Sequence, residues 1–392
     1  MWVERSELEL SSGELARHDL YWSLCKGHML NDIVRGGLFA AQSAALALEL
    51  GEPRRICRSL AVAGAVGLER GDEEGRRWLN EADRIAQKIG DRHASALVAI
   101  CWALVRRGRG EWAQALADLE FGLPRLAVGA VWEHSMASGS LLASLDALGE
   151  LPRLAIQSQR LAQAAQDLGS KRMYCLALTF SASAALAADE VTRCRQRVVE
   201  LNTLLSGDEY QMVHLYALKV AVDLDLYMGD PAGAWGRVLE QWPAVERSRL
   251  LSTGMRRFVA LSLRARAGLA LLASGVSGYD HLPDLIEQDI SQVEKEPAVH
   301  ALPIGLLLRA GLAAVRGGLD VDSYLDSAAV NFEAAGMVLH AAAARHGRES
   351  RKGFGADRPE LGHAVRLLRM QGVARPERWT TVLAPGLAPP AR

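Results

Sequence analysis

Few residues in this 392-residue chain have types and spacings that could bind a metal ion. His340 and His346 are six residues apart, whereas two histidines that share a metal on one helix are usually three or four apart. Asp320, Asp322 and Asp326 have neither the glycine nor the distal glutamate of a calcium-binding loop. We therefore predict no metal site, and we expect Asp320 or Asp322 to cap the helix that begins at Ser323.

Two glycine-containing loops could suggest phosphate binding or nucleophilic catalysis. Residues 353–355 (Gly-Phe-Gly) are a fragment of a phosphate-loop pattern, but no strand pattern precedes them and the third glycine is missing. Residues 275–278 (Gly-Val-Ser-Gly) lack the GxSxG order of a nucleophile elbow. Because no nucleophile, base and orienting group occur together, we predict no catalytic residue, no cofactor and no enzymatic activity.

Positive charge is concentrated in two places, residues 106–109 and residues 345–352. The formal net charge is −1 and the isoelectric point is about 6.8, so no overall field attracts nucleic acid or an anionic membrane. We interpret the first cluster as a helix C-terminus stabilised by cations and the second as a solvated linker. The charge pattern thus predicts no nucleic-acid partner.

Cysteine usage and hydropathy indicate the cellular compartment in which the protein is expected. The five cysteines form no CxxC pair and lie in apolar helical stretches: Cys25, Cys57, Cys101, Cys175 and Cys194. This pattern predicts reduced, buried thiols. The first five residues lack the apolar core of a signal peptide, and the longest apolar run, residues 301–315, contains Arg309. We expect a cytoplasmic protein with no membrane contact.

The elements that must position any functional surface follow from a repeated turn. Asn, Gly or Asp followed by an acidic residue returns at intervals of 39 or 40 residues. These turns are Asn31-Asp32, Gly71-Asp72, Gly110-Glu111, Gly149-Glu150, Asp189-Glu190 and Gly229-Asp230. A fixed period of this length is typical of solenoids, in which each helical hairpin buries its apolar face only against its neighbours. We predict an all-α fold, a right-handed α-solenoid of stacked helical hairpins with a period of about 40 residues.

Apolar periodicity supports helices inside the units. Val191, Cys194, Val198, Leu201 and Leu205 are spaced 3, 4, 3 and 4 apart, which fits one face of a helix and no strand. Glycine breaks divide each unit into two helices, at Gly51, Gly90, Gly129, Gly169 and Gly207. The predicted second helices of the units cover residues 54–69, 92–107, 131–147, 170–187 and 209–227.

The pattern also predicts how the chain is divided. Residues 1–392 form a single solenoid, with regular repeats over 31–274 and less regular repeats over 275–346. Residues 347–392 are expected to form a linker, a short helix from Pro359 to Met370 and a frayed tail from Ala384.

The unit layout, a helix, a Gly-Asp turn and a second helix, resembles tetratricopeptide-type repeats with a longer unit. Short motifs over nearly the whole chain carry a more specific resemblance, among them Gly51-Glu52-Pro53, Trp132-Glu133, Asp223-Leu-Asp-Leu-Tyr227, Arg264-Ala-Arg-Ala267 and Arg375-Pro-Glu-Arg378. In these the chain resembles the long helical regions that follow the kinase and ATPase domains of large bacterial serine/threonine kinases. The resemblance implies a sensor or protein-docking arm in bacterial signalling. The sequence lacks the kinase and phosphate-loop motifs, so catalytic activity is not implied.

We predict a non-catalytic scaffold for protein–protein interaction, whose concave wall, built from the second helices, binds a protein or peptide. The candidate contact residues are Arg58, His93, Trp132, His134, Lys171, Tyr174, His214 and Lys219. The alternative is a regulatory or sensor arm of a serine/threonine kinase or ATPase, separately encoded or truncated, with that kinase or ATPase as partner.

Overall fold

The structure is a computed structural model that describes residues 2–29, 32–252, 254–351 and 359–387. Across these ranges the chain forms 19 α-helices and three short 3-10 helices and contains no strand, so the prediction of an all-α fold is confirmed. The first ten helices are α1 (Ser12–Met29), α2 (Ile33–Leu50), α3 (Pro53–Glu69), α4 (Glu74–Ile89), α5 (Arg92–Arg109), α6 (Trp112–Gly122), α7 (Val131–Leu148), α8 (Leu151–Asp167), α9 (Lys171–Ala187) and α10 (Val191–Leu205). The others are α11 (Met212–Tyr227), α12 (Pro231–Arg247), α13 (Gly254–Ala273), α14 (Leu282–Val293), α15 (Ala301–Val315), α16 (Val321–Ala334), α17 (Val338–Arg351), α18 (Pro359–Met370) and α19 (Pro376–Leu383).

The predicted turns lie where helices end. Four are glycines in the left-handed region, with φ between 76° and 86°: Gly71, Gly110, Gly149 and Gly229. Glycine adopts this conformation without a Cβ clash, which is why it ends helices so often. Asp189, at the fifth turn, also has a positive φ, of 63°. Asn31, at the first predicted turn, lies outside the described residues.

Side-chain caps begin helices at two of the predicted turns, those with Asp32 and Asp230, whereas Glu150 and Glu190 make no side-chain cap. The carboxylate of Asp32 accepts hydrogen bonds from the backbone amides of Val34 and Arg35, both at 3.1 Å. Asp230 accepts one from Gly233 N at 2.8 Å. Such caps satisfy amides that have no partner inside the helix. The local chemistry of the turns therefore determines where helices end and begin.

The chain forms two compact units. The first comprises Met1–Gly108 and Ala113–Leu141, and in it α1 packs on α2, α2 on α3 and α3 on α4. Its core includes Ile56 of α3, Leu79 of α4 and Cys101 of α5. All five cysteines of the chain are free and buried, as predicted.

The second unit comprises Arg109–Trp112 and Leu142–Arg392. Its consecutive helices pack on one another from α8 through α19, which is compatible with a solenoid. Alternate helices also touch, since α9 contacts α11, α11 contacts α13 and α13 contacts α15. These odd-numbered helices form one layer, and nearly every side chain of α9 is buried.

Later parts of the second unit return to earlier turns, so its hairpins do not pack only against their neighbours in sequence. An ideal Cβ on Gly110 would lie 2.4 Å from Nδ1 of His300, and one on Gly149 would lie 2.6 Å from Cγ of Leu339. The expectation of purely nearest-neighbour burial is therefore wrong for this unit. The glycines serve the turn conformation and also permit these close approaches.

The C-terminal part differs from the prediction in three respects. Helix α17 continues to Arg351, past the predicted end at His346, and residues 352–358 of the predicted linker lie outside the described residues. Helix α18 covers the predicted range, but helix α19 was not predicted. Ala384 and Leu387, at the start of the predicted frayed tail, are buried, and residues 388–392 lie outside the described part.

One helix of the described chain, α2, is long and apolar enough to cross a membrane by length and composition. Core helices pass the same test, and Ala40, Ala44 and Ala47 of α2 are buried within the first unit.

Candidate functional site

An apolar groove opens on the second unit. It has a volume of about 460 Å³, which is within the range of ligand-binding clefts. Three segments line it: the end of α11 with the turn after it, the C-terminal half of α17, and α19 with the residues that follow. The lining residues are Leu226, Tyr227, Met228, Gly229, His346, Gly347, Ser350, Glu377, Arg378, Thr380, Thr381, Ala384 and Leu387.

The turn after α11 places Met228 at the groove. Helix α11 ends at Tyr227, Gly229 turns the chain with a φ of 76°, and Pro231 begins α12. Met228 keeps 46% of its surface exposed, whereas Leu226 beside it is buried. The turn therefore presents one large flexible apolar side chain to solvent at the groove wall.

Helix α19 is held at its start by the turn between α9 and α10. The backbone amide of Ala374 donates to the carbonyl oxygen of Ala187 at 2.8 Å, and Arg375 Nε donates to Asp189 Oδ2 at 3.2 Å. The hydroxyl of Tyr227 donates to Oδ1 of the same Asp189 at 2.8 Å. Asp189 thus connects α11 with the chain that leads into α19.

Asp189 adopts its left-handed conformation with these partners in place. A non-glycine residue at positive φ carries a conformational cost, which surrounding contacts must offset. The hydrogen bond from Tyr227 lowers the pKa of the Asp189 carboxyl, and Arg375 lowers it further. The ionised carboxylate is therefore favoured as the acceptor for both donors.

The polar groups at the groove are mostly paired within their own helices. Thr380 Oγ1 donates to the carbonyl oxygen of Pro376 at 2.8 Å, and Thr381 Oγ1 donates to that of Arg378 at 2.7 Å. Ser350 Oγ lies 3.4 Å from Nδ1 of His346, whose pKa is lowered by burial. The groove therefore offers an apolar surface with charged side chains at its edge, an arrangement suited to binding.

The predicted contact residues of the first unit lie outside this groove. The guanidinium of Arg58 lies 5.0 Å from the ring of Trp22, and the ring of Trp132 lies 6.2 Å from the same Trp22. Nδ1 of His93 accepts a hydrogen bond from the backbone amide of Ala127 at 3.1 Å. The structure thus brings Arg58 and Trp132 together around one tryptophan.

His134, in the same unit, is half-buried, and burial lowers its pKa. Its pKa also responds to the charge of His93, so these two predicted residues are close enough to interact. That these two pairs, Arg58 with Trp132 and His93 with His134, contact a partner stays a prediction.

The predicted residues of the second unit are engaged with their neighbours. Lys171 Nζ lies 2.8 Å from Asp208 Oδ2, and Tyr174 donates to Glu200 Oε1 at 2.9 Å. Nδ1 of His214 accepts a hydrogen bond from the backbone amide of Gln211 at 3.0 Å, at the start of α11. Lys171 and His214 both interact with the charge of Asp208, which brings these two together.

Lys219, the eighth predicted residue, belongs to a cluster of charges. Its Nζ lies 2.9 Å from Asp223 Oδ2 and 3.7 Å from Asp146 Oδ2, and Arg266 donates to the other oxygen of Asp223. Burial opposes ionisation of Asp223, but Arg266 and Lys219 outweigh it and lower the pKa of that carboxyl. Burial also works against the charge of Lys219, yet Asp223 and Asp146 raise the pKa of its ammonium.

One group of hydrogen-bonded side chains in the first unit was not predicted from the sequence. Nε2 of His18 lies 3.0 Å from Ser59 Oγ and 3.1 Å from Ser43 Oγ, while its Nδ1 lies 3.3 Å from Asp19 Oδ1. These groups resemble the parts of a serine–histidine–aspartate triad. His18, Ser43 and Ser59 have no solvent exposure, so a substrate has no access to either hydroxyl. The network joins α1, α2 and α3 as a structural connection.

No group of three or more histidine, cysteine or acidic side chains that could hold a metal ion occurs in the ranges that the structure describes. Comparison with known proteins adds no assignment, because no protein-family model and no curated protein matches the sequence. The resemblance to the helical regions of bacterial kinases therefore rests on the short motifs alone.

Proposed function

We propose that this chain is a non-catalytic scaffold, a right-handed α-solenoid with a period of about 40 residues, that binds a protein or peptide partner through the groove of its second unit. The observation that carries the proposal is the open apolar groove of about 460 Å³, in which Met228 is 46% exposed. An exposed apolar surface edged by charged side chains is typical of a docking site.

Two features favour a protein segment as the occupant. The groove is partly open to solvent, so a chain segment can enter it without passing through an enclosed cavity. Its edge carries the exposed side chains of Glu377 and Arg378, which can pair with opposite charges beside an apolar anchor.

Affinity capture with the purified full-length chain tests this proposal. Met228→Glu places a charge in the groove at an exposed position, so the fold is retained while an apolar partner is repelled. Leu239→Glu is the matched control, because Leu239 is 52% exposed on α12 and does not line the groove. We expect at least a tenfold loss of the captured partner with Met228→Glu and none with Leu239→Glu. Equal capture by all three proteins contradicts the proposal.

The surface predicted from the sequence is tested in the same assay. Combined alanine substitution of His134, Tyr174 and His214 removes three of its side chains without changing the groove. Retained capture supports the groove, and lost capture with an intact far-ultraviolet circular dichroism spectrum supports the predicted surface instead. A captured kinase or ATPase would favour the alternative, a regulatory arm of such an enzyme.

A further inference from the structure

The end of the described chain packs on the second unit as a separate segment. We call residues 376–387 the strap, which consists of α19 and the Ala-Pro-Gly-Leu run after it. Trp379 and Leu387 are buried, whereas Glu377 and Arg378 are exposed. The strap packs chiefly on α11 and α17 and only slightly on α18, the helix before it. It is therefore held by helices that are distant in sequence.

Two glycines inside long helices allow the strap to approach. An ideal Cβ on Gly311 of α15 would lie 2.4 Å from the carbonyl oxygen of Pro385, and one on Gly347 of α17 would lie 2.8 Å from Cδ1 of Leu387. Glycine is unfavourable within a helix, so its presence at both contact points indicates a site that admits the strap closely, its backbone at Gly311 and the Leu387 side chain at Gly347. Gly386, with a φ of 84°, lies against Gly311 from the strap side.

The second unit also binds the main chain of the strap. Arg266 Nη1 donates to the carbonyl oxygen of Val382 at 3.3 Å, while its Nη2 donates to Asp223. A buried ion pair thus orients a donor toward a backbone oxygen at the end of α19. This contact depends on the path of the backbone and is independent of the side chain at position 382.

The strap does not fill the space beside it. The groove of about 460 Å³ lies between the strap and helices α11 and α17. On the strap side the groove is lined by small side chains, among them Thr380, Thr381 and Ala384. Thr380 and Ala384 are buried, but Thr381 is half-buried, so a segment with a larger apolar side chain at position 381 would bury more apolar surface than the strap does.

We propose that the strap is a built-in ligand that a partner segment of the same chemistry displaces. That partner has a short amphipathic helix followed by a turn of small residues with glycine, and it carries a larger apolar side chain where the strap has Thr381. This inference rests on the proposed function, because the partner occupies the groove together with the place of the strap, which forms one wall of the groove. The strap competes at high effective concentration, since it is tethered to its own site.

A peptide-binding experiment on the full-length chain tests the exchange. Two fluorescent peptides are used, residues 376–387 and the same peptide with Thr381→Leu, which we call the enlarged peptide. The strap is released in the protein by Trp379→Ser with Leu387→Asp. We expect both peptides to bind the released variant at least tenfold more tightly than the wild-type chain, and the enlarged peptide to bind at least tenfold more tightly than the native one. Adding Gly347→Leu to the released variant should abolish binding, because its side chain blocks the contact with Leu387. Equal affinity for the wild-type and released chains overturns the inference.

A second measurement applies if the released variant does not fold. Hydrogen–deuterium exchange of the wild-type chain at saturating enlarged peptide should show at least tenfold faster exchange at strap amides. Unchanged or slower exchange overturns the inference, because the strap then stays bound. In that case loss of partner capture with Met228→Glu still supports the groove as the binding site. The proposed function and the displacement of the strap can therefore be contradicted independently.

Discussion

Both units bury polar side chains between helices, but one such network is neutral in the first unit and another is charged in the second. In the first unit His18, Ser43 and Ser59 form a neutral network, and burial lowers the pKa of His18 to about 4. In the second unit Asp223 is shared by Lys219 and Arg266, and all three are charged. The first network keeps its imidazole neutral beside the charged pair of Asp19 and Arg58, and the second network pairs its charges directly.

The accessibility of the groups explains this difference. His18 is fully buried, where an ionised imidazole would lose its hydration. Lys219 keeps 31% of its side chain exposed and Asp146 keeps 23%, so water still reaches part of the charged cluster. The charged cluster thus combines paired ions with some access to water, whereas the His18 imidazole has no solvent exposure and lies beside the cation of Arg58.

The largest effect is expected from Asp223→Asn. The substitution retains the shape of the side chain but leaves Lys219 and Arg266 without their shared anion, and breaking a buried pair in this way costs about 3 kcal/mol or more. We expect a loss of this size in the free energy of unfolding from urea denaturation. Adding Arg266→Met should recover part of it, because one stranded cation is removed.

A neighbouring aspartate provides the matched control. Asp225 pairs with Arg237, and their side chains are 13% and 38% exposed, so Asp225→Asn leaves one cation with access to water and should cost clearly less than Asp223→Asn. Similar losses for Asp223→Asn and Asp225→Asn would mean that the charged cluster is no more important than a surface pair.

Acid should act on the first network. The unfolded imidazole has an ordinary pKa near 6.5, and the folded value of His18 is about 4, so the unfolded chain binds more protons between these values. The contribution of His18 to stability is present above pH 6.5 and falls by about 3 kcal/mol as the pH drops to 4. The stability difference between the wild-type chain and His18→Gln should therefore shrink over this window in urea titrations. His340, whose pKa burial lowers to about 3, titrates in both proteins, so a constant difference contradicts the assignment to His18.

The helices and turns could be predicted because their causes are local. Gly71, Gly110 and Gly149 end helices through their own backbone conformation, and apolar periodicity identifies the helices between them. Only the local pattern around each residue is needed for these predictions. The repeat period and the handedness of the solenoid depend on how the hairpins stack, and both stay predictions.

The groove and the strap could not be predicted because they depend on contacts between distant residues. Gly347 lies in a polar stretch with several glycines, which is typical of a linker, but α17 continues through it. Because Gly347 has no side chain, Leu387 can pack closely against it. The Ala-Pro-Gly sequence from Ala384 is typical of a tail, yet Gly311 of α15 lies against it. The network of His18, Ser43 and Ser59 likewise joins three helices with no spacing signal in the sequence.

The smallest effect is expected from Lys171→Ala, which removes an ion pair with Asp208 at the surface. The two side chains are 50% and 44% exposed, so water replaces the lost partner for each charge. The urea midpoint should be unchanged within error, at low salt and at 0.5 M NaCl alike, while Asp223→Asn lowers it clearly in both. If Lys171→Ala lowers the midpoint by as much as Asp223→Asn, accessibility is not what separates the costly charges from the inexpensive ones. An unchanged midpoint also makes Lys171→Ala a clean test of the predicted surface, because any loss of partner capture then reflects the contact itself.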